Sequence, residues 1–200
     1  MSTEILKINK LNKKWRDKII FENYDATICN RRTCILGENG LGKTTLLSII
    51  AGLEKFESGH IMLCNQALEN PISKVALASD SILIPPFISA NEVLELQCES
   101  FGLTWPVLLT KHLYFEEHLP KKVAALSAGN LKKLHLITAF MRQPTLMLLD
   151  EPNIALDPKS LSALWELIDD YPHNIIVASN EPDTYDSQSF ETKHLFDLKK

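Results

Sequence analysis

Eight residues constrain this chain more than any others: Gly37-Glu38-Asn39-Gly40-Leu41-Gly42-Lys43-Thr44, which fit the spacing G-x-x-x-x-G-K-T. They follow a short apolar run of buried-strand type, Thr33-Cys34-Ile35-Leu36, and lead into a helical pattern from Lys43 to Ala51 that Gly52 can close. That is the context the spacing needs. The glycines let the backbone curl so that several N–H groups point inward, and the helix N-terminus adds the positive end of a dipole. Lys43 brings a full charge, and the Thr44 hydroxyl can ligate Mg²⁺. A strand, loop and helix of this composition predicts a site for the phosphates of a nucleotide.

A second feature agrees with the first. The run Leu146-Met147-Leu148-Leu149 ends in Asp150-Glu151, so two carboxylates stand at the carboxyl end of a buried strand. There the first can hold the Mg²⁺ shell and the second can polarise water. The two features together specify nucleotide binding and leave the task open, because many phosphate-loop proteins share them.

The remaining pattern predicts an α/β chain. Short strands are expected around Ile5–Leu11, at Ile19-Ile20-Phe21 and at Ala26–Cys29, then at Ile61–Cys64 and Val75–Ala78. Ser89 and Glu92 have capping-box spacing before a helix that Gly102 can end. A second helix is expected from Pro106 to Phe115, and a third from Ser127 to Arg142 with Leu131, Leu134, Ile137 and Met141 on one stripe. Thr145–Leu149 and Asn174–Ala178 are nearly all-apolar runs bracketing a helix opened by Asp157 and Pro158. Strands of that kind, alternating with helices, imply a mostly parallel sheet with ligands at its carboxyl edge. A last strand is expected at His194–Leu198.

At 200 residues with 45% apolar and 23% charged side chains, the chain has the composition of one globular domain. Its net charge of −4 argues against broad attachment to nucleic acid or anionic lipid. No run approaches the roughly 18 apolar residues of a membrane span, and Met1-Ser2-Thr3-Glu4 does not resemble a signal peptide. The expectation is that any membrane contact is made through a partner. Cys29, Cys34, Cys64 and Cys98 show no metal or redox spacing and are expected to be buried, reduced thiols. Lys121-Lys122 and Lys132-Lys133 are expected to be solvated faces, and the six scattered histidines to be surface or packing residues.

Between the two nucleotide features lies Leu126-Ser127-Ala128-Gly129-Asn130, and just after them Ala155-Leu156-Asp157. In this order and spacing the motifs resemble the ATP-binding cassette family over almost the whole chain. The resemblance implies a P-loop NTPase fold with a mostly parallel core sheet and an N-terminal antiparallel β subdomain. Residues 1–200 would form a single nucleotide-binding domain, with a helical subdomain of about 86–142 inserted in a RecA-like core. It implies ATP and Mg²⁺ as cofactors, with Gly37, Asn39, Gly40, Gly42, Lys43, Thr44 and Thr45 around the phosphates and Trp15 stacked on adenine. Thr44, Asp150 and Asp80 would meet the metal, and Glu151 would be the catalytic carboxylate. Ser127, Gly129, Asn130 and Asp157 would serve the ATP of a second cassette in a head-to-tail dimer. The remaining implied partners are transmembrane permease subunits, docked near Ile82–Phe87 and holding the chain at the cytoplasmic face of the inner membrane.

The sequence departs from the family pattern at informative places. Asp80 stands where a glutamine is usual, Asn180 where a switch histidine is usual, and Asn130 where the signature has glutamine. Asp80 is shorter and charged, so it should either ligate Mg²⁺ more directly or swing away. Asn180 cannot carry a proton. Hydrolysis is therefore expected to be slow. Two other functions stay open: a nucleotide-gated dimerisation scaffold with vestigial hydrolysis, and a soluble cassette that serves no transporter.

Overall fold

A computed structural model of the chain describes residues 4–186 and 188–198. The chain divides into two units, one drawn from residues 1–77, 145–150 and 173–200, the other from 78–144 and 151–172.

The first unit carries two sheets. In one, β1 (Leu6–Trp15) and β2 (Lys18–Ile28) form an antiparallel hairpin, joined by β4 (Ser58–Leu63) and β5 (Gln66–Ala67) in the order β2-β1-β4-β5. The sequence predicts two short strands where β2 runs unbroken. The polar stretch between them is absorbed by register shifts between Ile8 and Lys14 and by a left-handed Asn23 at φ +44°, so the strand bulges instead of ending. The other sheet has the order β6-β7-β8-β3-β9, formed by β3 (Arg32–Leu36), β6 (Val75–Ala78), β7 (Leu146–Asp150), β8 (Asn174–Ser179) and β9 (Glu191–His194). Strand β3 pairs parallel with β8 and β9, and β7 pairs parallel with β8. Every residue of β6, at one edge of this sheet, and of its neighbour β7 is buried, as expected of strands covered on both faces.

The last strand lies earlier than His194–Leu198. Leu195 and Leu198 are buried from turn conformations, three residues apart, and the Leu195 carbonyl accepts the Tyr24 hydroxyl at 2.6 Å. Their apolarity is used by packing without a ladder. Helices α1 (Lys43–Ile50), α2 (Pro71–Lys74) and α7 (Pro182–Asp186) complete this unit.

The second unit is helical, with α3 (Ala90–Phe101), α4 (Val107–His112), α5 (Ala128–Phe140) and α6 (Pro158–Asp170). Its ends are set by the expected residues. Ser89 Oγ accepts from the Glu92 N–H at 3.2 Å while the Glu92 carboxylate accepts from the Ser89 N–H at 2.7 Å, and a left-handed Gly102 closes α3. Asp157 opens α6 by accepting from the Ser160 N–H at 3.0 Å and its hydroxyl at 2.6 Å. Those two bonds, and Lys133 after them, hold the Asp157 carboxyl well below the usual carboxylate range. Helix α6 packs within this unit: His112 Nε2 lies 3.0 Å from the Ala163 carbonyl, and the Phe140 and Tyr171 rings meet edge to face at 5.7 Å.

Two expectations about side chains need correction. Lys132 and Lys133 are buried, not solvated. Eight of the thirteen α5 residues are buried, so this helix has almost no wet side, and each lysine is compensated by a carboxylate: Asp80 lies 2.9 Å from Lys132 and Asp157 3.3 Å from Lys133. Of the cysteines only Cys34 is buried. Cys64 is exposed because it shares with Asn65 the left-handed turn joining β4 to β5, at φ +49° and +62°. Among the described residues no helix is long and apolar enough to cross a membrane.

His135, buried on α5, makes stability pH-dependent. Burial pushes its imidazole below the ordinary value of 6.5, with Asp80 opposing and Lys132 reinforcing. The unfolded chain then takes up the proton at a higher pH than the folded chain. The contribution is complete above about pH 6.5 and is lost as pH falls towards the lowered folded value. The urea midpoint is expected to fall between pH 7 and 5, and His135→Gln should flatten that part of the curve.

Candidate functional site

Between the end of β3 and the start of α1 the chain makes the loop that the spacing predicts. Gly40 and Gly42 are left-handed, at φ +83° and +104°. Gly42 is fixed by sterics as well, since a Cβ there would lie 2.7 Å from Ile20 Cγ2 and 3.1 Å from Phe21 Cζ, side chains that β2 lays against the loop. No side chain caps α1, whose first N–H groups are the donors an anion takes at a helix N-terminus. Lys43 is buried, and its ammonium donates to the carbonyls of Gly37 and Glu38, the latter at 3.2 Å. The cation is thus held over the loop backbone by acceptors that phosphate oxygens can replace. Asn39 is exposed and Thr45 half-buried.

Thr44 and Asp150, 106 residues apart, meet here. The Thr44 hydroxyl donates to both carboxylate oxygens of Asp150, at 2.9 and 3.1 Å. One hydroxyl and one carboxylate, both hard oxygens, suit Mg²⁺, which keeps water and substrate phosphates for its other positions. Trp15, at the end of β1, is half-exposed, and Asn180, just after β8, is exposed.

The helical unit holds the other candidates. Glu151, which follows Asp150 in the chain, is left-handed at φ +45°, as is Ala155 at +67°. Non-glycine residues in that region concentrate at functional sites. Ser127 is the N-cap of α5, its hydroxyl oxygen accepting from the Asn130 N–H at 3.3 Å. Gly129 has no room for a side chain, because a Cβ there would collide with the Ala155 carbonyl. The Leu126–Asn130 segment and the Ala155–Asp157 loop are therefore in direct contact, and Lys133 ties them again through Asp157. The Asp80 carboxylate is engaged by Lys132.

Sequence reasoning missed the buried lysines. For Lys132 and Lys133 the available signal was the apolar content of α5 on every side, which leaves a lysine nowhere wet to go. Lys13 is also buried: the bulge at Lys10, φ +49°, shifts the inward positions of β1 from Leu6 and Ile8 to Leu11 and Lys13.

The family model for the ABC transporter matches residues 27–153. The chain is 28% identical over 176 residues to the Nod factor export ATP-binding protein I of Cupriavidus pinatubonensis, covering 82% of this chain and 54% of that protein. It is 32% identical over 192 residues to the Fe(3+) ions import ATP-binding protein FbpC 2 of Pectobacterium atrosepticum, covering 88% and 54%. The chain spans about half the length of these curated relatives. A solved ATP-binding subunit of an ABC transporter has the same fold, with a TM-score of 0.83 at 22% identity over 98% of this chain and 87% of that one. A phosphate loop closed by Lys43, an Asp150 strand end bonded to Thr44 and a family match across more than half the residues converge: this chain belongs to the ABC transporter family.

Proposed function

We propose that the chain is the ATP-binding and ATP-hydrolysing subunit of a membrane transporter, working through nucleotide-dependent pairing of two cassettes and turning over slowly. The observation that carries this reading is the Thr44–Asp150 contact beside the Lys43-closed loop, since it gathers backbone donors, a cation and a metal-binding oxygen pair in one place. Triphosphate oxygens take the place of the Gly37 and Glu38 carbonyls on Lys43 and receive the α1 N–H groups. Thr44 and Asp150 would hold Mg²⁺, which would supply positive charge against the phosphates. The half-exposed Trp15 ring stacks on the base. Glu151 orients water and accepts its proton.

Ser127, Gly129, Asn130 and Asp157 serve the nucleotide of the partner cassette, whose γ-phosphate completes the dimer interface. The contact of Gly129 with the Ala155 carbonyl supports this by giving the two segments one fixed arrangement. Permease subunits dock on the segment 82–87, where Leu83 is 93% and Phe87 70% exposed, and hold the chain at the cytoplasmic membrane face. The relatives named above are, by their names, one exporter and one importer component. The reading accordingly assigns an engine to this chain and leaves cargo and direction to the permease.

Slow turnover follows from Asp80 and Asn180. With its carboxylate 2.9 Å from Lys132, Asp80 is turned to an internal partner in place of the metal. Asn180 cannot act as a protonatable switch. The loss expected is about ten- to a thousand-fold against a cassette carrying glutamine and histidine. Phosphate release and light scattering with Mg-ATP test the reading. Slow turnover with an ATP-dependent dimer is expected, and Asn180→His should raise turnover by up to about tenfold. Full-rate hydrolysis by the wild type would refute the slowed mechanism. ATP-dependent dimers with no turnover at all would favour the nucleotide-gated scaffold.

A further inference from the structure

Lys13 is buried on β1 beside the ring assigned above to the base. Its ammonium lies 2.6 Å from Glu54 Oε1, donates to the Lys55 carbonyl at 2.7 Å, and sits 4.5 Å from the centroid of the Trp15 indole. Glu54 and Lys55 belong to the segment that follows α1. A buried ammonium needs such partners, and these two acceptors fix where its charge rests. Lys13 and Trp15 are two residues apart on β1, and the contact between the ammonium and the ring puts both on one face of the sheet. In the hairpin register Lys13 is opposite Phe21, the residue that with Ile20 walls in Gly42 of the phosphate loop. The face that carries the cation and the indole therefore borders the phosphate loop.

A cation over an aromatic face is attracted by the ring quadrupole, more strongly where water is excluded. Trp15 itself is 49% exposed, and the Lys13 ammonium lies over its ring. We propose that Lys13 is a positioning residue for nucleotide recognition: anchored by Glu54 and the Lys55 carbonyl, it holds one face of the Trp15 indole so that the other face receives the base of a nucleoside triphosphate. This rests on the base-stacking role of Trp15 proposed above. It adds a residue that touches neither base nor phosphate and acts through the ring.

Calorimetric titration of the full chain with Mg-ATP and with Mg-tripolyphosphate, which has the phosphates and no base, separates positioning from mere structural support. Lys13→Met should raise the Kd for ATP about three- to tenfold and leave that for tripolyphosphate within about twofold. Lys13→Gln, which keeps a donor for Glu54 and the Lys55 carbonyl but no charge, should behave alike, and Lys13→Arg should stay within about twofold of wild type. Adding Lys13→Met to Trp15→Ala should cost nothing further, because the ring through which it acts is gone. Equal losses for both ligands in the Met and Gln variants would make Lys13 a structural residue and overturn the proposal. So would an ATP-selective loss that persists in the Trp15→Ala background. If Trp15→Ala weakens ATP selectively while the Lys13 variants do not, stacking stands and positioning falls. If Trp15→Ala changes both ligands equally, the stacking role falls and the proposal with it.

Discussion

Glu151→Gln is expected to lower phosphate release at least about a hundredfold while ATP binding is retained and the ATP-bound dimer persists longer. Glutamine has nearly the size and shape of glutamate, so the left-handed backbone at φ +45° and the neighbouring Asp150 are left as they are. What is lost is the only property the proposed chemistry takes from this side chain, a carboxylate able to accept a proton from water. General-base groups typically contribute a hundred- to ten-thousand-fold. Single-turnover phosphate release, with binding followed separately, isolates the step. An unchanged rate would move the base to another residue, and loss of ATP binding would make Glu151 a structural residue.

Gly42→Ala should have the second large effect, this time on the loop itself. A Cβ at this position meets Ile20 Cγ2 at 2.7 Å and requires an alanine at φ +104°, so crowding and backbone strain add. A cost of about 2–4 kcal/mol is expected from the two together, visible as a lower urea midpoint and at least a tenfold weaker ATP affinity. Gly40→Ala is the control. Its φ of +83° is also left-handed, but no atom lies within 4 Å of the added carbon. It should cost about 1 kcal/mol from backbone strain alone. Equal effects at the two positions would mean that the contact with β2 does not shape the loop.

The parts of the fold that were legible in the sequence are those set by local chemistry. Ser89 with Glu92, Asp157 with Pro158, and Gly102 each act within a few residues, and each ends or begins a helix where its side chain or missing Cβ dictates. Buried strands such as Leu146–Asp150 declare themselves because both faces are covered. The phosphate loop was legible for the same reason, its glycines being required by backbone geometry over eight residues. What was not legible depends on distant partners. The bulges that carry β2 across Glu22 and Asn23 arise from its register with β1, and the burial of Lys132 depends on Asp80, 52 positions away. Lys13 gives no sign of burial until the bulge at Lys10 reverses the strand's parity.

The same distinction applies to function. Spacing identified Lys43, Thr44 and Asp150, and the structure brings the last two into hydrogen-bonding contact. Asp80 read as a metal-facing carboxylate or a displaced one, and the structure pairs it with the buried Lys132. An ion pair of this kind is invisible in a single sequence because a lysine in a helix is ordinarily wet.

The central claim is that the loop closed by Lys43, with Thr44 and Asp150 beside it, is a Mg-nucleotide site. Calorimetric titration of ATP into the purified wild-type chain, with and without Mg²⁺, tests it most directly. Saturable binding of one ATP per chain, strengthened by Mg²⁺ and lost in Lys43→Ala, is the predicted result. Absence of binding by a chain that unfolds cooperatively in urea, or binding that Lys43→Ala leaves intact, would contradict it.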